Sequence, residues 1–200
     1  MRAPILQAGQ WTLVTTIGLA AGLVTALAVG KPVGKIVGAM LVTAIVTSLV
    51  GAILGGMQAV WLRRRLARPI WWIAATTGGT GIGLALGVIA IEQAGILITG
   101  QRPNVMHLSS PARALSFFIL GIITGTILGL AQWLVLRGQD RRVRRWIPTS
   151  ALGLAVAFAA GSLLVDASLG GIGSTAGLIV FVVLSGVFFG IATSRPLLKA

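Results

Sequence analysis

Very few side chains in this sequence are suited to chemistry. One histidine, His107, and three acids stand among 200 residues, and there is no cysteine or tyrosine. A lone histidine excludes a multi-His metal site and a Ser-His-Asp triad within the spans, and neither GxxxxGK[ST] nor HExxH occurs. His107 lies in the polar stretch QRPNVMHLSS, where a solvated loop residue is expected. Without thiols there is no disulfide framework, thiol nucleophile or Cys-ligated metal. Glu92 and Asp166 are the acids nearest the apolar runs, and acids inside a bilayer are functional candidates by default. Both fall at the expected outer boundary, where Lys31 at the equivalent position is placed to neutralise one of them. A proton or cation relay needs an acid near midplane, so neither a catalytic nor a metal site is expected, and the chain reads as a non-enzyme.

What remains is a set of aromatic and uncharged polar residues. Trp11, Trp72 and Trp146 have two readings: walls of a pocket for a flat ligand such as a quinone, carotenoid or chlorin, or indoles at the membrane interface for their own solvation reasons. Gln58 and Gln132 each precede the first Arg of a loop by five residues, about 7.5 Å along a helix. With Thr193 at the corresponding place, they form either a polar ring at the mouth of a central site or interhelical hydrogen bonds worth about 0.6 kcal/mol each. These six residues are the only cofactor-binding candidates, and no particular cofactor follows from them.

The elements that must position them are transmembrane helices. Hydrophobic residues make up 56% of the chain, charged ones 10%, and the mean hydropathy is +0.98. Six apolar runs, near 11–30, 37–62, 70–92, 111–136, 146–166 and 172–193, are long enough for a hydrocarbon core of about 30 Å. The fold class is therefore all-α and integral to the membrane, as a single domain over 1–200. The AxA tripeptide at Ala26 to Ala28 resembles a signal-peptide cleavage site, but the first run carries the pattern of two later ones and is expected to remain. Ser110 followed by Pro111 has the form of an N-cap and first-turn pair for the fourth helix.

Two patterns recur in register. Trp11, Thr15 and Gly18 match Trp72, Thr76 and Gly79, then Trp146, Ser150 and Gly153, and small residues continue at offsets eleven and fifteen. The alternate runs close on GxxxGxx, a polar residue and, four later, Leu: Gly51, Gly55, Gln58 and Leu62; Gly125, Gly129, Gln132 and Leu136; Gly186, Gly190, Thr193 and Leu197. The Trp-to-polar distance is 47 residues in the first and third copies (11 to 58, 146 to 193) and 60 in the second (72 to 132), which places a 13-residue insertion in a loop at 93–110. Three tandem hairpins result, 11–62, 70–136 and 146–198, all entering the membrane in one direction and relatable by a threefold pseudo-axis along its normal. Gly51, Gly55, Gly79, Gly83, Gly125, Gly129, Gly186 and Gly190 are expected at helix contacts, because spans in lipid associate through small residues.

The formal charge of +13 follows the loops. Twelve basic residues fall on one side (Arg2; Arg63, Arg64, Arg65, Arg68; Arg137, Arg141, Arg142, Arg144, Arg145; Arg195, Lys199) and four on the other (Lys31, Lys35, Arg102, Arg113). The positive-inside rule then puts both termini and the Arg loops in the cytoplasm and accounts for the charge without nucleic acid. Arg63, Arg64, Arg65, Arg141, Arg142, Arg144 and Arg145 are also placed to hold anionic lipid headgroups, at about 1 kcal/mol each.

The stretches GGMQAVWLRRRLARPIWWIAATTGG and GLAQWLVLRGQDRRVRRWIPTSALG resemble a repeat of uncharacterised polytopic membrane proteins frequent in phototrophic bacteria, in which GxxQWLxLR closes one helix and a Trp-initiated, Gly-rich helix follows a basic loop. The third copy departs from it with Thr193 in place of Gln. That resemblance implies the fold and a bacterial inner membrane, and no reaction. The three-hairpin plan is also similar in outline to mitochondrial carriers, without their Pro and charged signature at the odd helix ends. The expected function is a non-enzymatic accessory subunit packed within a larger photosynthetic or respiratory membrane complex, holding lipid or pigment. The alternative is a pore or carrier for a small neutral solute, lined by Gln58, Gln132 and Thr193.

Overall fold

A computed structural model describes residues 2–63, 66, 68–137, 141–169 and 174–198, with side chains undescribed also at 2–5, 31–44, 106, 141–142, 168–169 and 195–198. Arg64, Arg65 and Lys199 fall outside the described residues, as do the side chains of Arg2, Lys31, Lys35, Arg141, Arg142, Arg195 and Leu197. In hydrocarbon every backbone amide needs an internal partner, and a helix supplies one within its own segment. The described chain is accordingly all-α: α1 (Arg2–Leu62), α2 (Pro69–Thr99), α3 (Ser110–Leu136), α4 (Trp146–Leu169) and α5 (Thr175–Leu198), with short 3₁₀ turns at Val105–His107 and Arg141–Arg145.

Helix α1 contains two of the six membrane-length spans, Leu6–Gly30 and Ile45–Leu62. A straight helix of 61 residues would reach about 90 Å, three times the hydrocarbon core. It is not straight. A β-carbon on Gly18 would stand 3.1 Å from the Cα of Leu54, and one on Gly22 would stand 2.9 Å from that of Val50. The two limbs therefore lie side by side and the chain reverses between Gly30 and Ile45. Sequence reading expects a loop at 31–36; the backbone stays helical throughout, and Pro32, Gly34 and Gly38 are the kink formers that the stretch offers.

Two further boundaries differ from expectation. Helix α2 runs on to Thr99, so half of the inserted segment is helix rather than loop. Nothing in QAGILIT breaks a helix; the end comes at Gly100, whose φ of 71° is left-handed and whose N–H reaches the Ile96 carbonyl at 2.9 Å. Helix α3 is capped at Ser109, one residue before the expected Ser110, without a side-chain cap bond, and Pro111 sits in its first turn. Ser174 caps α5, its Oγ accepting from the Gly177 N–H at 2.9 Å.

The helices close into a ring. α1 packs on α2, α2 on α3, α3 on α4, α4 on α5, and α5 returns to α1. Glycines make the approaches close. Gly51 and Gly55 lie on the α2 backbone at Thr76 and Ile73, Gly125 and Gly129 on α4 at Ser150 and Ile147, and Gly186 and Gly190 on α1 at Thr16 and Thr12. Gly79 and Gly83 lie against Leu128 and Thr124 of α3. All eight face another helix rather than lipid. Leu, Ile and Val side chains cover the outside, among them Leu13, Ile82, Val156 and Ile191.

Candidate functional site

The residues singled out by type and spacing meet in one layer. Trp11, Trp72 and Trp146 are 1%, 0% and 1% exposed. Their ring centroids lie 6.2 Å apart for Trp11 and Trp146 and 6.0 Å for Trp72 and Trp146, both edge to face, within the range where the quadrupoles of two indoles attract. The indoles meet one another instead of framing a slot for a flat ligand. They are not lipid-facing interfacial residues either. Trp71, half-exposed beside Trp72, is the indole that faces outward.

Burying an indole requires a partner for its N–H, and the next helix supplies one. Trp72 Nε1–H donates to Gln58 Oε1 at 3.2 Å and Trp146 Nε1–H to Gln132 Oε1 at 2.9 Å. The other end of each amide is also used: Gln58 Nε2 donates to Thr15 Oγ1 at 3.2 Å and Gln132 Nε2 to Thr76 Oγ1 at 3.0 Å. Each glutamine thus ties together an indole on one side and a hydroxyl on the other. Trp11 Nε1–H donates to Thr193 Oγ1 at 2.9 Å, and that hydroxyl donates onward to the Phe189 carbonyl at 2.8 Å. Thr193 has no amide with which to reach Ser150, the counterpart of Thr15 and Thr76. The buried Ser150 Oγ is left without a partner.

One sequence signal could have exposed these pairs. Gln58 to Trp72 and Gln132 to Trp146 are both separated by 14 residues, a constant distance across two otherwise dissimilar Arg loops. A second component has no such signal. Leu66 and Val143, set among arginines, are buried in the Trp cluster together with Leu62 and Leu136. Each Arg loop thereby plants one apolar side chain on the layer while Arg63, Arg68, Arg137, Arg144 and Arg145 stay exposed.

Behind this layer the same helices border a partly open cavity of about 280 Å³. Leu54, Leu128 and Phe189 line it, each four residues before Gln58, Gln132 and Thr193. Val50, Thr124 and Ser185 follow four residues further along the same strips, then Val46, Leu120 and Phe181. Leu23, Leu84 and Phe158, each twelve residues after its Trp, complete the wall from the alternate spans. The accessible wall is hydrocarbon almost throughout, although Thr47, Thr80, Thr124 and Ser185 are among its residues.

On the far side of the bundle, Asp166 of α4 is held by Arg113 of α3, with Nη2 at 2.6 Å and Nε at 3.1 Å from the same carboxylate oxygen. Their side chains are 13% and 10% exposed. Arg113 neutralises this acid, while the side chain of Lys31 lies outside the described residues. Glu92 lines a second cavity, of about 260 Å³, between α2, α3 and the inserted segment. His107 is exposed at the end of its 3₁₀ turn, and no cluster of three metal-ligating side chains occurs among the described residues.

No protein-family model, curated protein or solved structure matches this chain.

Proposed function

We propose that this chain is a non-catalytic integral membrane subunit. It is built from three parallel hairpins around a threefold pseudo-axis, with both termini and the Arg loops in the cytoplasm of a bacterium. The buried Trp, Gln and Thr layer carries this reading. The indole N–H groups and glutamine amides at the Trp end of the bundle are engaged in tying helices together, and three indoles packed edge to face lie where a central path for a solute would run. A path for a polar solute needs polar lining along its whole length, and behind the layer the axis is hydrocarbon. Nothing in the layer combines a nucleophile, a base and an oxyanion donor, so catalysis has no apparatus there.

The repeat reading draws support from contacts at matching positions. Gly51 and Gly55 meet α2 as Gly125 and Gly129 meet α4 and as Gly186 and Gly190 meet α1. These glycine faces are consumed within the chain. A partner subunit would meet the aliphatic outer face, where Val60, Ile70 and Trp71 protrude at the Trp end, and the Arg loops would rest on anionic headgroups.

Gentle purification from the native membrane, followed by mass spectrometry of co-purifying proteins, tests the subunit reading. Stoichiometric recovery with a second membrane protein is expected; recovery of the chain alone would overturn it. Orientation is testable separately, because the chain has no cysteine of its own. A label at Asn104→Cys should react with an impermeant reagent outside intact cells and one at Arg144→Cys should not.

A further inference from the structure

We infer that the axial cavity is a binding site for one hydrocarbon tail of a bilayer phospholipid, entering from the end opposite the Trp layer. This deepens the subunit reading by naming what the bundle holds. Three observations select the occupant. The wall is hydrocarbon, so it offers nothing to a headgroup, a haem or a polar ring, and apolar cavities of this kind exclude water. At about 280 Å³ the space is large enough for part of one acyl chain. At the Trp end the cavity stops at Leu54, Leu128 and Phe189, one turn short of the Gln and Thr layer, and it shares Phe117 and Leu120 with the second cavity. That second cavity carries Glu92 and Ser116 in its wall, so a chain running from it into the axis keeps its polar end beside polar side chains at the membrane boundary.

The three hairpins also suggest how to close the site without disturbing the fold. Phe158 stands where the first two copies have Leu23 and Leu84, so Leu23→Phe with Leu84→Phe extends into the cavity a side chain that the third copy already accommodates. Full-length wild type and variant are reconstituted in phosphatidylethanolamine vesicles with mid-chain brominated tails, re-extracted in lipid-stripping detergent and analysed by native mass spectrometry. Wild type should retain one brominated lipid per chain and the variant at least tenfold less. Equal retention, or none by wild type, overturns the site. If the variant does not fold, the stripped wild type decides: saturating n-nonane should raise its thermal midpoint by several degrees, and no rise overturns the proposal. A failure here leaves the subunit reading standing, since that reading is judged by co-purifying protein and not by lipid.

Discussion

The two halves of the bundle solve the same packing problem in opposite ways. At the Arg-rich end, three indoles and two glutamines fill the axis, and the indole N–H groups and the glutamine amides are hydrogen-bonded. A few turns away the same six strips leave about 280 Å³ unfilled by protein. Lipid supplies no hydrophobic drive between spans, so cohesion must come from close packing and interhelical hydrogen bonds, and the Trp layer concentrates both. The cavity half is held instead by backbone contact at the glycines and by the Arg113 to Asp166 pair.

The largest expected break in that contrast is Trp72→Ala. It removes a fully buried indole and orphans the Gln58 carbonyl. A loss of about 3–5 kcal/mol is expected, the usual range for a core Trp, read as a fall in thermal midpoint in detergent. A similar truncation in the cavity half, Leu84→Ala, should cost far less, because that side chain already borders open space. Equal losses would erase the distinction between the halves.

Gln132→Leu should come next. With each amide bridging two buried groups, Gln132→Leu strands the Trp146 N–H and removes the donor to Thr76. A cost of about 1–3 kcal/mol is expected for such unsatisfied groups, measured by the same melts, and the double change with Gln58→Leu should cost more than either single one. The smallest effect is a gain. Thr193→Gln would give the third copy the amide that the first two use, able to accept from Trp11 and to reach the orphaned Ser150 Oγ. Its stabilisation should be about 0.6 kcal/mol, an average interhelical bond in a membrane protein, or roughly 2 °C for a chain of this length.

Much of this was legible because lipid reduces folding to few variables. Hydropathy located the six spans, and fixed offsets picked out the glycines that touch neighbouring backbones. Three things were not legible, each for a physical reason. An indole at a helix start satisfies its N–H equally well in headgroups or on a buried glutamine, so the type of Trp72 does not reveal which way it faces; only the 14-residue spacing to Gln58 does. The pairing of Asp166 with Arg113 joins two adjacent helices at positions 53 apart in sequence, and no spacing rule marks such a pair in advance. Apolar strips announce that they face inward, but the volume left between them depends on side-chain sizes from six spans at once, as where Phe158, Phe181 and Phe189 reach in from α4 and α5 and smaller Leu or Val side chains stand opposite.

The central claim is that the Trp layer seals the axis and binds helices rather than conducting solute. Stopped-flow uptake of glycerol into liposomes containing the purified full-length chain tests it most directly. The expected result is uptake no faster than in protein-free liposomes, with the Gln58→Leu, Gln132→Leu pair indistinguishable from wild type. Protein-dependent glycerol flux that disappears in that pair would contradict the account and make the layer a selectivity ring.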